Sequence, residues 1–441
     1  MNLGNHCLPA AALSTLIAAL AAAQTPDPQG THAAGPMDMP GMTNMQGGAV
    51  PSLMDQASGT SMNPRSWTMP MLMTSAGQWR LMFMGEGFLA DTQESGPRGD
   101  AKLYSPNWFM FAAEHSAGRG SFLFQLMASL EPLTITERRY PELFQTGETA
   151  FGKPLVDAQH PHNLIMGMGL EYAYPIGENT TIQAYFAPVG DPALGPVAFP
   201  HRASAAELPQ APLSHHWQDS THIADEVVTV GVTHKFLRVE ASGFYGTEPD
   251  ENRWHIDYGP INSWSTRLSL FPAANWMAQV SLGRLDHPER QTPGDVVRST
   301  ASLHYTRPMG SGDWSTSLIW GRNHETLTQR NTNSYLLESA LPLRRRNFLT
   351  GRIELVDKDE LFDDNPGLAA QLARTVGSTF RIGAYTAGYT RDLDLFPHVE
   401  TGIGANFTAY TTPDAIKLYY GNRPVAVNVY IRARLRPKSR L

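Results

Sequence analysis

Cysteine is almost missing. Cys7 is the only one in 441 residues, which excludes an intramolecular disulfide framework and any Cys-based metal site. Charge is sparse as well: Asp, Glu, Lys and Arg make up 17% of the chain, and the net charge is −7. Nothing there supplies the basic face that nucleic-acid binding requires. No apolar run reaches the ~20 residues of a membrane helix, and the mean hydropathy of −0.29 is far from that of a helical membrane bundle. Gly (38) and Pro (33) are plentiful and point to many turns. Zinc fingers, disulfide scaffolds, coiled coils and helical membrane proteins are thereby set aside. A chain of this length is either two or three globular domains or one large β-barrel.

The first 23 residues carry no Asp, Glu, Lys or Arg, and the apolar run Ala10–Leu20 leads into Ala21-Ala22-Ala23, an A-x-A pattern. Residues 1–23 are therefore expected to be an export signal, the alternative being a buried Ala-rich helix. Residues 24–77 are rich in Pro, Gly and Thr, without an apolar period, and are expected to form a disordered periplasmic tail. Half of the chain's 18 methionines stand in that tail. Met37, Met39, Met42 and Met45 are its densest group. Thioethers are soft ligands that select Cu(I) or Ag(I) over Zn(II) or Ca(II), so these four are candidate ligands for a weakly held ion. Composition drift in an unstructured linker is the bland alternative.

Beyond Gly77 a period of two replaces any helical period. Trp276, Ala278, Val280 and Leu282 alternate with Met277, Gln279, Ser281 and Gly283; Val425 to Leu435 repeats the pattern. Such runs last about nine to eleven residues, enough to span a bilayer when tilted. The gaps between them alternate long and short along the whole chain, as outer-membrane barrels do with tight periplasmic turns and long outer loops. The expected fold is all-β: a closed antiparallel transmembrane β-barrel of about sixteen strands (about 14–18) over residues 78–435. Lipid cannot satisfy backbone N–H or C=O groups, which is why closure is required. Parity then assigns Glu171, Arg238, Glu240, Arg267, Gln279, Arg298, His304, Arg352, Glu354, Arg381, Arg432 and Arg434 to the lumen. Trp79, Trp108, Tyr174, Trp264, Trp276, Trp314, Trp320 and Tyr389 are expected in the interfacial girdles.

Two long gaps hold six of the 15 histidines. His160 and His162 flank Pro161; a later loop carries His201, then His215, His216, Asp219 and His222. Neutral imidazole prefers borderline ions such as Zn(II), Cu(II) or Ni(II), so His160, His162, His215, His216, Asp219 and His222 are candidate metal ligands. The spacing matches no established zinc motif. Alternatively the loop is a plug or lid, its His and Trp fastening it by hydrogen bonds. Asp219, Ser220 and His222 also supply the residue types of a hydrolase triad, and Asp257 with His255 or Asp286 with His287 an acid–base pair, but sequence neighbours rarely reach triad geometry. No catalytic residue and no required cofactor is assigned.

Gln159–Asn163, Ser214–His222, Glu248-Pro249-Asp250 and Trp320–Asn323 resemble a family of uncharacterised bacterial outer-membrane β-barrel proteins, from about residue 78 onward. The layout of a Met-rich exported tail before a barrel resembles copper resistance protein B, an outer-membrane copper-resistance component. Together these imply an outer-membrane location in a Gram-negative-type bacterium. The expected partners are outer-membrane lipid, periplasmic chaperones and the barrel insertion machinery, and a small solute or metal ion, with no nucleic acid. The expected function is a pore or binding barrel serving copper or silver homeostasis through the tail. The alternatives are a gated porin for small organic solutes closed by the His-rich loop, and a rim hydrolase.

Overall fold

The computed structural model describes residues 53–289, 294–344 and 346–436. The expected signal segment and Met37, Met39, Met42 and Met45 lie outside the described residues. Sixteen antiparallel strands close a barrel. The first eight are β1 Trp79–Glu94, β2 Asn107–Ala117, β3 Gly120–Ala128, β4 Ile165–Pro175, β5 Thr180–Gly190, β6 Ala224–His234, β7 Leu237–Tyr245 and β8 Ser263–Ala273. The rest are β9 Trp276–Leu285, β10 Val296–Met309, β11 Gly312–Glu325, β12 Asn331–Pro342, β13 Asn347–Lys358, β14 Phe380–Asp392, β15 Val399–Thr411 and β16 Val425–Leu435. Each strand pairs with its sequence neighbour, and β1 closes onto β16 from Glu86 opposite Arg434 to Glu94 opposite Ala426. No barrel strand is left with an unpaired edge, as a hydrocarbon surround demands.

All sixteen strands expected from alternation are present, and so is the rhythm of the gaps. Short turns such as Gly118-Arg119 and Lys235-Phe236 mark one rim, while segments such as 129–164 and 191–223 mark the other. The connection from β11 to β12, on the long-loop rim, is only 326–330, because β11 runs on to Glu325. Outward positions are large, apolar and exposed, among them Val228, Val230, Val232, Leu303, Leu318, Val427, Val429 and Ile431. The inward series of the same strands is buried and polar. Eleven of the twelve residues assigned to the lumen are buried. Arg381 is the exception. It lies on the outward face near the long-loop rim, half exposed, and forks onto Asp357 at 2.7 and 2.8 Å. Trp108 is corrected in the other direction: it is lumenal and buried, not part of a girdle, because β2 turns its even positions inward.

The tail boundary also moves. Residues from Leu53 onward are packed into the barrel rather than loosely tethered. Ser58, Thr60, Ser61, Met62 and Asn63 are buried; Arg238 and Arg267 donate to Thr60 O and Oγ1 at 3.0 and 2.8 Å. The chain then forms the short strand Leu72–Ala76 alongside the first half of β1. Hydroxyls and amides in this stretch match the polar wall, which is what holds it there.

Candidate metal centre

The long segment between β5 and β6, residues 191–223, does not stand out from the rim. Nearly all of it is buried, and its polar groups are tied to lumenal side chains around the circumference. Ala193 N–H donates to Ser242 Oγ (2.8 Å) and Gly195 N–H to Ser281 Oγ (2.9 Å). Arg202 donates to Glu338 and to Asp219, both at 3.0 Å. Ser214 donates to Glu354 (2.9 Å) and Trp217 Nε1 to Thr332 (2.7 Å). Glu207 accepts from both Arg432 and Arg434. Segment 191–223 thus lies against the lumen wall, fastened to it by side-chain hydrogen bonds. Among the described residues, one lumen cavity beside His216 and Glu289 measures about 30 Å³ and one beside His222 about 10 Å³.

This insertion gathers the histidines. The segment 129–164 contributes a hairpin, strands Tyr140–Ala150 and Lys153–Gln159, whose end carries His160 over the barrel mouth. His215 and His216 sit in a short helix, His215–Gln218, of the lumenal segment. One ring nitrogen of each of His160, His215 and His216 lies within 4.8 Å of the others, and all three rings are buried. Gly147, at φ +113°, leaves room for this: a Cβ there would stand 2.4 Å from His216 Cε1. His215 Nδ1 donates to Asp219 Oδ1 at 2.5 Å, which leaves Nε2 with its lone pair. Asp219 is held in turn by Arg202. This carboxylate–imidazole pair is the arrangement by which proteins aim a ligating histidine.

The electrostatics favour neutral rings. Burial holds His215 down to about 3, lowers His160, and keeps His216 well below the imidazole range, with the His160 charge adding to the effect on His216. Burial pushes Asp219 up, but the neighbouring His215 and Arg202 pull it down to about 2, so it remains a carboxylate. On its other side His216 Nδ1 faces Glu289 at 3.2 Å and Glu248 at 3.7 Å, while its Nε2 has no partner. His160 Nε2 lies 3.0 Å from Glu148. Three imidazoles with carboxylates close by form a donor set suited to a borderline divalent ion.

Of the residues expected as ligands, His160, His215 and His216 converge, and Asp219 orients His215 rather than joining them. His162 is turned away, its N–H and Nδ1 both on Glu131 Oε2 at 2.6 and 3.0 Å. His222 lies against His162 and His215, with ring centroids 5.4 and 5.5 Å apart. Glu148, Glu248 and Glu289 escaped sequence reasoning, since single carboxylates in three separate loops carry no spacing signal. The hydrolase triad is not assembled. Ser220 Oγ accepts from Arg298, and His222 Nδ1 donates to Asp219 O at 3.0 Å, leaving no His222–Ser220 bond.

No family model and no curated protein matches the chain. Solved structures do. An anion-selective porin from Comamonas acidovorans is 12% identical, with 81% of this chain and 100% of that one covered at a TM-score of 0.50. OprB of Pseudomonas putida is 10% identical, with 81% and 94% covered at 0.49. The outer-membrane channel DcaP of Acinetobacter baumannii is 8% identical, with 82% and 99% covered at 0.48. The fold is that of an outer-membrane porin barrel. The likeness is one of fold, and lends nothing to the expected resemblance to copper resistance protein B.

Proposed function

We propose that this protein is an outer-membrane channel-type barrel for small hydrophilic solutes, kept shut by segment 191–223, with the three imidazoles as a metal-binding latch. One observation carries the reading: His160 belongs to the outer hairpin, whereas His215 and His216 belong to the lumenal segment, so one bound ion ties the two together. Zn(II), Cu(II) or Ni(II) suits such donors. Titrating the detergent-solubilised protein with Zn(II) should reveal a site that a His160→Ala/His215→Ala/His216→Ala variant lacks, and equal binding by both proteins would remove the latch. In planar bilayers, deleting residues 195–222 should raise single-channel conductance severalfold; unchanged conductance would remove the plug. For the N-terminal stretch, three sulfurs within six residues support weak Cu(I) or Ag(I) capture by Met37, Met39, Met42 and Met45. A Met-to-Leu variant of these four with undiminished Ag(I) uptake would remove that reading.

A further inference from the structure

One sector of the lumen wall, formed by β1 to β4, carries a cluster of thioethers beside the carboxylates Glu86, Glu114 and Glu171. Met82, Met84, Met110, Met127 and Met166 are buried there together with Met54 and Met69 of the entering segment. Three of them stand in register across the sheet: Met84 opposite Met110, and Met110 opposite Met127. Gly167 stands opposite Met127, so no side chain crowds it from that strand. Barrel lumens normally carry polar side chains, and where apolar filling is all that is needed, Leu, Ile and Val specify a core better than the flexible Met.

A second observation points to a ligand. Met110, Met127, Met166 and His222 line one cavity of about 10 Å³, together with Gln125, Met168, Tyr185 and Asp191 of the wall and loop and Ser58 and Gly59 of the entering segment. His222 donates its Nδ1 hydrogen to Asp219 O at 3.0 Å, so Nε2 keeps its lone pair, and that nitrogen is buried without a partner. A lone pair so placed is destabilising unless something accepts it. Sulfur donors select soft ions, and one imidazole completes such a set, while the nearby Asp191 carboxyl is taken by Ser58 Oγ at 2.9 Å.

We propose that Met110, Met127, Met166 and His222 form a site for one soft monovalent ion, Cu(I) or its redox-inert analogue Ag(I). It shares no donor with the three-imidazole centre, so Zn(II) titration reports on that centre and Ag(I) titration on this one. The test uses full-length protein in detergent, with Met37, Met39, Met42 and Met45 replaced by Leu throughout. Equilibrium dialysis against Ag(I) with a competing chelator should then find one equivalent bound. Met110→Leu/Met127→Leu/Met166→Leu, which conserves volume, should weaken it at least tenfold with heat-modifiable migration unchanged. Affinity within twofold of the parent would overturn the site. Should the triple variant fail to fold, His222→Gln decides in its place: a tenfold loss supports the site, unchanged affinity ends it. X-ray absorption of the Ag(I)-loaded parent should show sulfur donors, and a shell of only nitrogen and oxygen would also end it.

Discussion

The lumen wall has two sectors that obey the same alternation and use opposite chemistry. From β7 round to β16 it is ionic: Arg238, Glu240, Arg267, Arg298, Glu338, Arg352, Glu354, Arg432 and Arg434 are all buried and are met by the inserted segments. From β1 to β4 thioether and apolar side chains predominate, with Met82, Met84, Trp108, Met110, Leu123 and Met127 around the carboxylates Glu86, Glu114 and Glu171. The ionic sector is held by directional bonds that each need a particular partner, so it fixes where segment 191–223 lies. The thioether sector is held by packing, which tolerates a change of side chain of equal volume. Geometry alone therefore does not decide what fills a barrel. The wall's chemistry does.

The sharpest way to break the comparison is in the ionic sector. Arg432 touches Glu207, Asp392 at 2.5 Å and Glu400 at 2.6 Å, with no exposure of its own side chain. Arg432→Ala strips Asp392 of its arginine, leaves Glu207 and Glu400 to Arg434 alone or with Arg436, and should cost about 3–5 kcal/mol, read from urea unfolding in vesicles. A loss below ~1.5 kcal/mol, the ceiling for a volume-conserving core swap such as Met82→Leu, would erase the distinction between sectors.

His201 tests the boundary between them, since it stacks edge-on against Trp108 of the thioether sector at 4.3 Å while belonging to the lumenal segment. Burial, with the nearby His222 and His162, holds it at about 3, against ~6.5 for a free imidazole. Between those values the unfolded chain takes up a proton that the folded chain refuses. Stability should thus fall as pH drops below ~6.5, by up to ~1.4 kcal/mol per pH unit from this residue. His201→Phe should flatten that slope in unfolding series from pH 7 to 4, and an unaltered slope would contradict the assignment. The smallest effect is expected outside the lumen altogether. Arg381→Ala removes a half-exposed rim pair and should cost under ~1 kcal/mol; a loss as large as that of Arg432 would mean that the outer rim carries the fold as much as the lumen does.

Much of this was legible beforehand because a barrel repeats its rule. Period-two alternation located every barrel strand but not the short strand Leu72–Ala76 or the hairpin Tyr140–Gln159, and the rhythm of the gaps located both rims. Arg381 was misplaced because its strand was read as inward at a rim position, where water rather than lipid surrounds an outward arginine. Trp108 was misplaced because aromatic residues near strand ends look alike whichever way they point. The entering segment 53–77 resembled linker, since hydroxyls and glycines fit a polar lumen as well as they fit water. His160, His215 and His216 were recognisable as donor types, but Gly147 and the carboxylates around them were not, because their roles exist only once three loops meet.

By itself the amino-acid order determined how many times the chain crosses the bilayer and which side chains meet lipid, since both follow from local alternation against a uniform solvent. Only the tertiary structure decided what occupies the interior. Which imidazoles converge, which methionines share a cavity and where segment 191–223 comes to rest all depend on contacts between residues far apart in the chain, and no local period encodes those.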